Sequence, residues 1–519
     1  PAEEVSAGPA ARIFVTVGFD NITDRILAGA RGKTGRPYFD AVDMAKKAAV
    51  AQCELDAGHR CSVADMYYGS EFYLIKQLEL KDIRLVYAPP VSIGNYGDEI
   101  DNFMWPRHVG DFSFYRAYVG KDGKPAAYSK DNVPYVPPAV LHISTAPVKA
   151  GDFAMVAGYP GVTFRHRTAS EFINQIDWLL PNRVAMFDGL IHTIEQASAG
   201  DKAKQVLYAS NVASMKNNLK RAQGELEGLR RSDAIHVRAA DEKAMLAWLS
   251  KQPNAKPELA GIAALQAQLN QADAQRERDF ILPFLRPGLL GAAVQLQRLA
   301  LERGKPDAQR ESGYQQRDTA MIEGGLKQLQ RRFDPVVEKA TLHFVLQRYF
   351  ALPQAQRVPE FDAVFGANAV DAAQRVDALY AGTALGDQAT RLAAMNLDAT
   401  ALAASNDSLL KAAVTLQPAL LRLEAKSKQR AGELLRLRPA YMQALIAYRK
   451  SQGRAVYPDA NSTLRVSYGK VSALTPRDGV DYRPLTTVAG IVEKNTGVVP
   501  FNAPGPLLDA IAKGDFGST

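Results

Sequence analysis

Asp101-Asn102-Phe103-Met104-Trp105-Pro106-Arg107-His108-Val109-Gly110-Asp111-Phe112 packs large rings, an amide, two acids, an arginine and a histidine into twelve residues. A solvated loop favours small turn residues and simple charges, so this run reads as a built surface. It leads into Phe112-Ser113-Phe114-Tyr115-Arg116-Ala117-Tyr118-Val119, an alternating strand pattern. Gly120-Lys121-Asp122-Gly123 then closes that strand with a hairpin signal.

Working outward, residues 1–165 read as β-rich. Ala11–Val17 and Ile83–Tyr87 alternate as strands, and Gly151–Gly161 reads as a short buried strand ending in a Gly/Pro turn. Two stretches, Phe39–Glu54 and Ser70–Leu78, read as helical interruptions. Over 166–457 the period changes. Val212, Met215, Leu219, Ala222, Leu226 and Leu229 recur at three and four, which places them on one helix face as a packing stripe. Pro253, Pro283, Pro287 and Pro353 fall at gaps, as expected for several antiparallel helices. Alternation returns at Thr463–Gly469, within 458–519. The order β, α, β predicts an α+β chain in which a helical domain is inserted between two β-lobes.

At 519 residues the chain exceeds one core, so two or three domains are expected. Its 47% hydrophobic and 23% charged content is ordinary for a soluble globular protein. No apolar run approaches the 18 residues of a membrane span. The net charge of +8 is interspersed with acids, and no basic-aromatic interleaving occurs, so nucleic acid is not an expected partner. No signal peptide is visible in a chain that begins at Pro1 and reads as the middle of something longer. Cys53 and Cys61 lack the ligands of a zinc site. They are two free thiols or, the preferred reading, a local disulfide that implies an oxidising compartment.

Asp111 follows Gly110 at an expected strand start, where a partly buried carboxylate needs donors. Capping a turn is the ordinary role there, and accepting from a catalytic imidazole is the functional one. His108 is too close in sequence to serve as the base and reads as structural. None of the other histidines (His59, His142, His166, His192, His236 and His343) sits in a stretch with nucleophile-base character. A Gly-x-Ser-x-Gly elbow, a Walker loop, a dinucleotide glycine motif and a His-Glu-x-x-His helix are all absent, so neither metal nor cofactor is expected.

The chain resembles the bacterial serine dipeptidyl-peptidases 7 and 11. The matching blocks are Glu4–Pro9, Cys53–Cys61, Arg84–Pro90, Ile93-Gly94, Asp101–Phe112, Val156–Gly161 and Tyr457–Asn461. The resemblance implies a chymotrypsin-like double β-barrel with a large helical domain between the barrels, both lobes being incomplete here. It makes Asp111 the triad carboxylate, and Asn102 and Phe103 the clamp on the substrate's free α-amino group. Phe103 stands where the family usually has Trp, so the aromatic wall remains without its indole donor. A clamp on an ammonium two residues from the scissile bond makes an exopeptidase that releases dipeptides. Periplasmic or secreted location and a homodimer are further implications.

The family's catalytic His lies in a Thr-Asn-His-His-Cys-like stretch before the equivalent of Glu4. Its Ser lies in a Gly-Asn-Ser-Gly-Ser-Pro-like stretch after the equivalent of Asp515-Phe516-Gly517. Neither is in these residues. The chain alone is therefore expected to be inactive. The alternatives are a non-catalytic peptide-binding or scaffold protein, and an unrelated helical adaptor flanked by β segments.

Overall fold

Seven short strands precede residue 140 in the computed structural model, which describes residues 4–516 apart from 145, 254 and 274. They are β1 (Val5–Ser6), β2 (Ile13–Asn21), β3 (His59–Met66), β4 (Glu71–Leu80), β5 (Asp82–Tyr87), β6 (Phe114–Val119) and β7 (Val133–Pro134). One antiparallel sheet has the order β1-β5-β6-β7 and another β2-β4-β3. The hairpin expected at Gly120–Gly123 forms, with the Gly120 N–H donating to the Lys124 carbonyl.

Ser70–Leu78 is a strand, not the helix its sequence suggests. Leu and Glu are good helix formers, but β4 is the middle strand of its sheet. Ile75 pairs with Phe19 of β2 on one side and Ser62 of β3 on the other. Tertiary pairing satisfies the backbone on both edges and buries Phe72, Ile75 and Leu80. The stretch Phe39–Glu54 is helical as expected: α1 (Gly35–Cys53) ends at a disulfide from Cys53 to Cys61 on β3.

Helices then run from 169 to 451. Those used below are α2 (Leu180–Ala197), α3 (Lys202–Arg231), α4 (Ala255–Asp273), α5 (Gly288–Arg303), α6 (Pro335–Phe350) and α7 (Ser408–Ser451). Their starts are written in the sequence: Asp201, Asp334 and Asp407 each accept from backbone N–H groups of the first turn, a cap worth ~1 kcal/mol. The main core gathers Met186 of α2, Leu289 and Leu296 of α5, Leu346 of α6, Leu416 of α7, and Phe361 and Phe365. The stripe expected on α3 is only half covered, and Ala222 is its one fully buried member.

The 44 residues of α7 would span roughly 65 Å if straight. Its C-terminal half builds a second core from Leu437, Tyr441 and Leu445 with Met245 and Leu265. Between the two cores, Gly432 lies against α1, where a Cβ would stand 2.0 Å from the Gly35 carbonyl oxygen. Only glycine permits that approach.

On either side of the helical block the chain pairs with itself. β8 (Phe153–Gly158) is antiparallel to β9 (Arg465–Lys470), and β10 (Leu474–Arg477) to β11 (Val480–Tyr482). Asp459 ties the same seam, accepting from Thr163 Oγ1 (2.7 Å), the Arg165 N–H (2.8 Å) and Tyr68 Oη (2.9 Å). Burial opposes its ionisation, but these donors outweigh it and hold the carboxyl below its usual range. The burial expected for Gly151–Gly161 is absent: Phe153 is 68% and Val156 71% exposed. β8 and β9 form a two-stranded ribbon with no third strand among the described residues, and such a ribbon buries neither face. All four sheets are open among those residues.

Candidate active site

The run Asp101–Phe112 begins at a single helical turn, Asp98–Asp101, and ends two residues before β6. Residues far away in sequence hold it. Buried Asp101 pairs with Lys494 Nζ at 2.8 Å, and the same ammonium donates to the Pro106 carbonyl at 2.9 Å. Lys494 ends α8 (Ala489–Lys494). Thr486 Oγ1 donates to the Arg107 carbonyl, Tyr96 Oη to the Ile491 carbonyl and the Gly97 N–H to the Pro500 carbonyl. The segment 486–500 is thus laced onto the candidate site by five hydrogen bonds from named donors.

His108 faces that lacing. Its Nε2 would lie 2.1 Å from a Cβ at Gly490, so the ring fills the space that glycine leaves. Burial lowers its pKa, Lys494 adds to the effect, and its sealed Nδ1 has no partner among the described residues. A neutral, packed imidazole agrees with the structural role read for it. Around it lies a cavity of about 300 Å³, with Ile93, Tyr96, Arg107 and His108 on one side and Thr486 and Ile491 on the other.

Asn102 is held from the helical block. Its Nδ2 donates to Glu99 Oε2 at 2.7 Å and to Asn217 Oδ1 of α3 at 2.9 Å. With both amide hydrogens engaged, Oδ1 is left as an acceptor with no donor among the described residues. Lys220 of α3 braces the same turn by donating to the Glu99 carbonyl and, at 2.7 Å, to the Ile100 carbonyl. Phe103 follows in the left-handed region (φ 57°) with its ring 60% exposed. An acceptor oxygen, a nearby carboxylate and an exposed ring face are the elements that hold an ammonium group.

Asp111 is exposed, not partly buried, because β6 starts only at Phe114. Its carboxylate makes no hydrogen bond or ion pair with a described residue, so it is open to a donor. Beside it, the Gly110 N–H donates to the Ile93 carbonyl at 2.9 Å. Phe112 stacks at 5.9 Å on Tyr87 and meets Phe114 edge-on at 5.7 Å. No histidine among the described residues bonds Asp111. Sequence reasoning missed Glu99, Asn217, Lys220 and Lys494. Glu99, three residues before Asn102, carried a local signal; the others meet the loop only through the fold. Among the described residues no His, Cys, Asp and Glu cluster could hold a metal ion, and no helix is long and apolar enough to cross a membrane.

The Peptidase S46 family model matches residues 1–519. The chain belongs to the Peptidase S46 family. It is 40% identical over 518 residues to the Asp/Glu-specific dipeptidyl-peptidase of Shewanella putrefaciens, covering 99% of this chain and 70% of that one. It is 29% identical to dipeptidyl-peptidase 7 of Porphyromonas gingivalis, covering 91% of this chain and 66% of the relative. Among solved structures, Porphyromonas endodontalis DPP11 in complex with the dipeptide Arg-Glu matches with a TM-score of 0.77 at 25% identity. That match covers 99% of this chain and 74% of the other. The family read from the blocks Glu4–Pro9 to Tyr457–Asn461 is therefore the family to which this S46 member belongs.

Proposed function

We propose that this S46 peptidase, a dipeptidyl-peptidase, measures its substrate from the free amino terminus with Asn102 and Phe103 and cuts with a triad that contains Asp111. The observation that carries this reading is the state of Asn102: both amide hydrogens are held by Glu99 and Asn217, which leaves its Oδ1 as a fixed acceptor with no donor among the described residues. An α-ammonium bound there, beside the Glu99 carboxylate and over the Phe103 ring, sets the second peptide bond at the reacting groups. Asp111 then accepts from the imidazole that activates the seryl nucleophile and supports the positive charge that develops on it. In the family that imidazole and hydroxyl belong to Thr-Asn-His-His-Cys-like and Gly-Asn-Ser-Gly-Ser-Pro-like stretches, neither of which occurs in these 519 residues. In the same reading the β segments on either side of the helical block belong to two chymotrypsin-like barrels. The divisions 1–165, 166–457 and 458–519 mark the lobes and the insertion. The 40% identical relative is Asp/Glu-specific, which favours an acidic residue at P1. The Cys53–Cys61 disulfide favours a periplasmic or secreted location. A homodimer rests on the resemblance alone.

The test uses the full-length enzyme and peptides with free or acetylated amino termini. Free peptides should lose dipeptides and acetylated ones should not. Asn102→Ala removes a charge-assisted bond worth about 1.5–3 kcal/mol, read as a fall in kcat/KM for free peptides only. Asp111→Asn should lower kcat by roughly four orders of magnitude with the fold intact. Equal cleavage of both peptide classes overturns the clamp, and near-full activity of D111N overturns the triad assignment.

A further inference from the structure

A second cavity, about 1170 Å³, opens between α1, α4, α5 and α7. It shares no residue with the candidate active site. Its carboxylates already have cationic partners. Glu311 and Glu424 pair with Arg298 and Lys428, Asp279 with Arg278, and Glu433 with Arg436. Arg286 is different. This half-buried guanidinium makes no ion pair or hydrogen bond with a described residue, and its Nε is sealed from water without an acceptor. Burial pulls its pKa down, and the Tyr314 hydroxyl opposes that shift more weakly. An uncompensated cation in a partly desolvated wall costs stability, and a ligand anion removes that cost.

Two further cations, Lys426 and Arg430, stand one turn apart on the exposed side of α7 at the same cavity. They too have no acidic partner among the described residues. Amides supply the rest of the polar lining, including Gln268 and Gln271 of α4. Gln417 of α7 is only 4% exposed, and its Oε1 has no donor among the described residues. Separate cationic positions with amides between them complement a ligand that has two anionic groups joined by a peptide backbone.

We propose that this cavity is a second, non-catalytic site for short peptides ending in Asp or Glu. One carboxylate sits on Arg286, the other lies against Lys426 and Arg430, and the peptide amides meet the glutamines. The ligand class rests on the proposed function, since such dipeptides are the product that the catalytic site would release. The binding site itself rests on the lining.

Calorimetric titration of the full-length enzyme with the dipeptide Ala-Glu tests this. Two sites per chain are expected. Arg286→Met should weaken one of them at least tenfold, about 1.4 kcal/mol, while R286K keeps most of the affinity. The double variant K426A/R430A changes only exposed side chains and should weaken the same site about threefold, which keeps the test open if R286M fails to fold. The C-terminally amidated dipeptide should lose affinity at this site. Inorganic phosphate binding there as well as Ala-Glu would make it a plain anion site and overturn the peptide assignment. A single site abolished by Asn102→Ala and untouched by every cavity variant overturns the proposal and leaves the catalytic reading standing. Loss in the cavity variants without loss in N102A supports the cavity and counts against the clamp.

Discussion

The helical block and the ribbon that brackets it treat apolar residues in opposite ways. Phe361, Phe365, Leu289 and Leu416 share one core and are wholly buried, whereas Phe153, Val156 and Tyr468 of the β8–β9 ribbon are mostly exposed. The difference follows from where each element finds its hydrogen bonds. A helix satisfies its own backbone and needs only a neighbouring stripe to bury its face. A strand must borrow its partners, and two strands alone cannot cover a face. The helical block therefore gathers its main core from residues between Met186 and Ala419, while the ribbon leaves its apolar side chains exposed.

The contrast can be broken most forcefully inside the helical core. Phe361→Ala should cost about 3–5 kcal/mol by emptying a wholly enclosed site, read as a lower urea midpoint. A loss under 1 kcal/mol would mean that the core is looser than its burial implies.

A pH experiment sharpens the same region. Glu338 of α6 is buried with no cationic partner among the described residues, accepts from the Leu289 N–H (2.7 Å) and Tyr380 Oη (2.6 Å), and has its pKa raised by burial to about 7. Its folded pKa lies above its ordinary value of 4.5, so the folded state binds the proton more tightly. Its contribution to stability is greatest at low pH and falls as pH rises from about 4.5 to about 7. The loss is on the order of 3 kcal/mol. Glu338→Gln should flatten that part of the Tm profile relative to wild type. Parallel profiles would remove Glu338 as the source.

In the β part, the Cys53–Cys61 link should contribute about 2.5 kcal/mol by closing a short loop in the unfolded chain. C53S/C61S measured against oxidised wild type by denaturant melts checks it, and an unchanged midpoint would show the link to be dispensable. The smallest effect belongs to the ribbon: Val156→Thr, at a 71% exposed position, should stay within about 0.5 kcal/mol. A core-sized loss there would show that β8 is covered in the working protein.

Some of the candidate site could be read directly from the chain. Asn102, Phe103 and Asp111 fall within twelve residues whose polar and aromatic density is itself the signal. What supports them could not be read so. Lys494 reaches Asp101 across 393 positions and Asn217 reaches Asn102 across 115, and nothing in either neighbourhood marks the pairing. Likewise, β4 looked helical because Leu and Glu score as helix formers, and only β2 and β3 on its two edges made it a strand.

The sequence by itself determined the β–α–β order and the family to which the chain belongs. These depend on period and contiguous motifs, which act over a few residues. Only the tertiary structure decided that, among the described residues, Asn102 Oδ1 has no donor and Arg286 no partner in its large cavity, and that Asp101 is pinned by Lys494. Each is a matter of which donor and acceptor meet in space, and a chain that closes contacts hundreds of residues apart carries no local record of them.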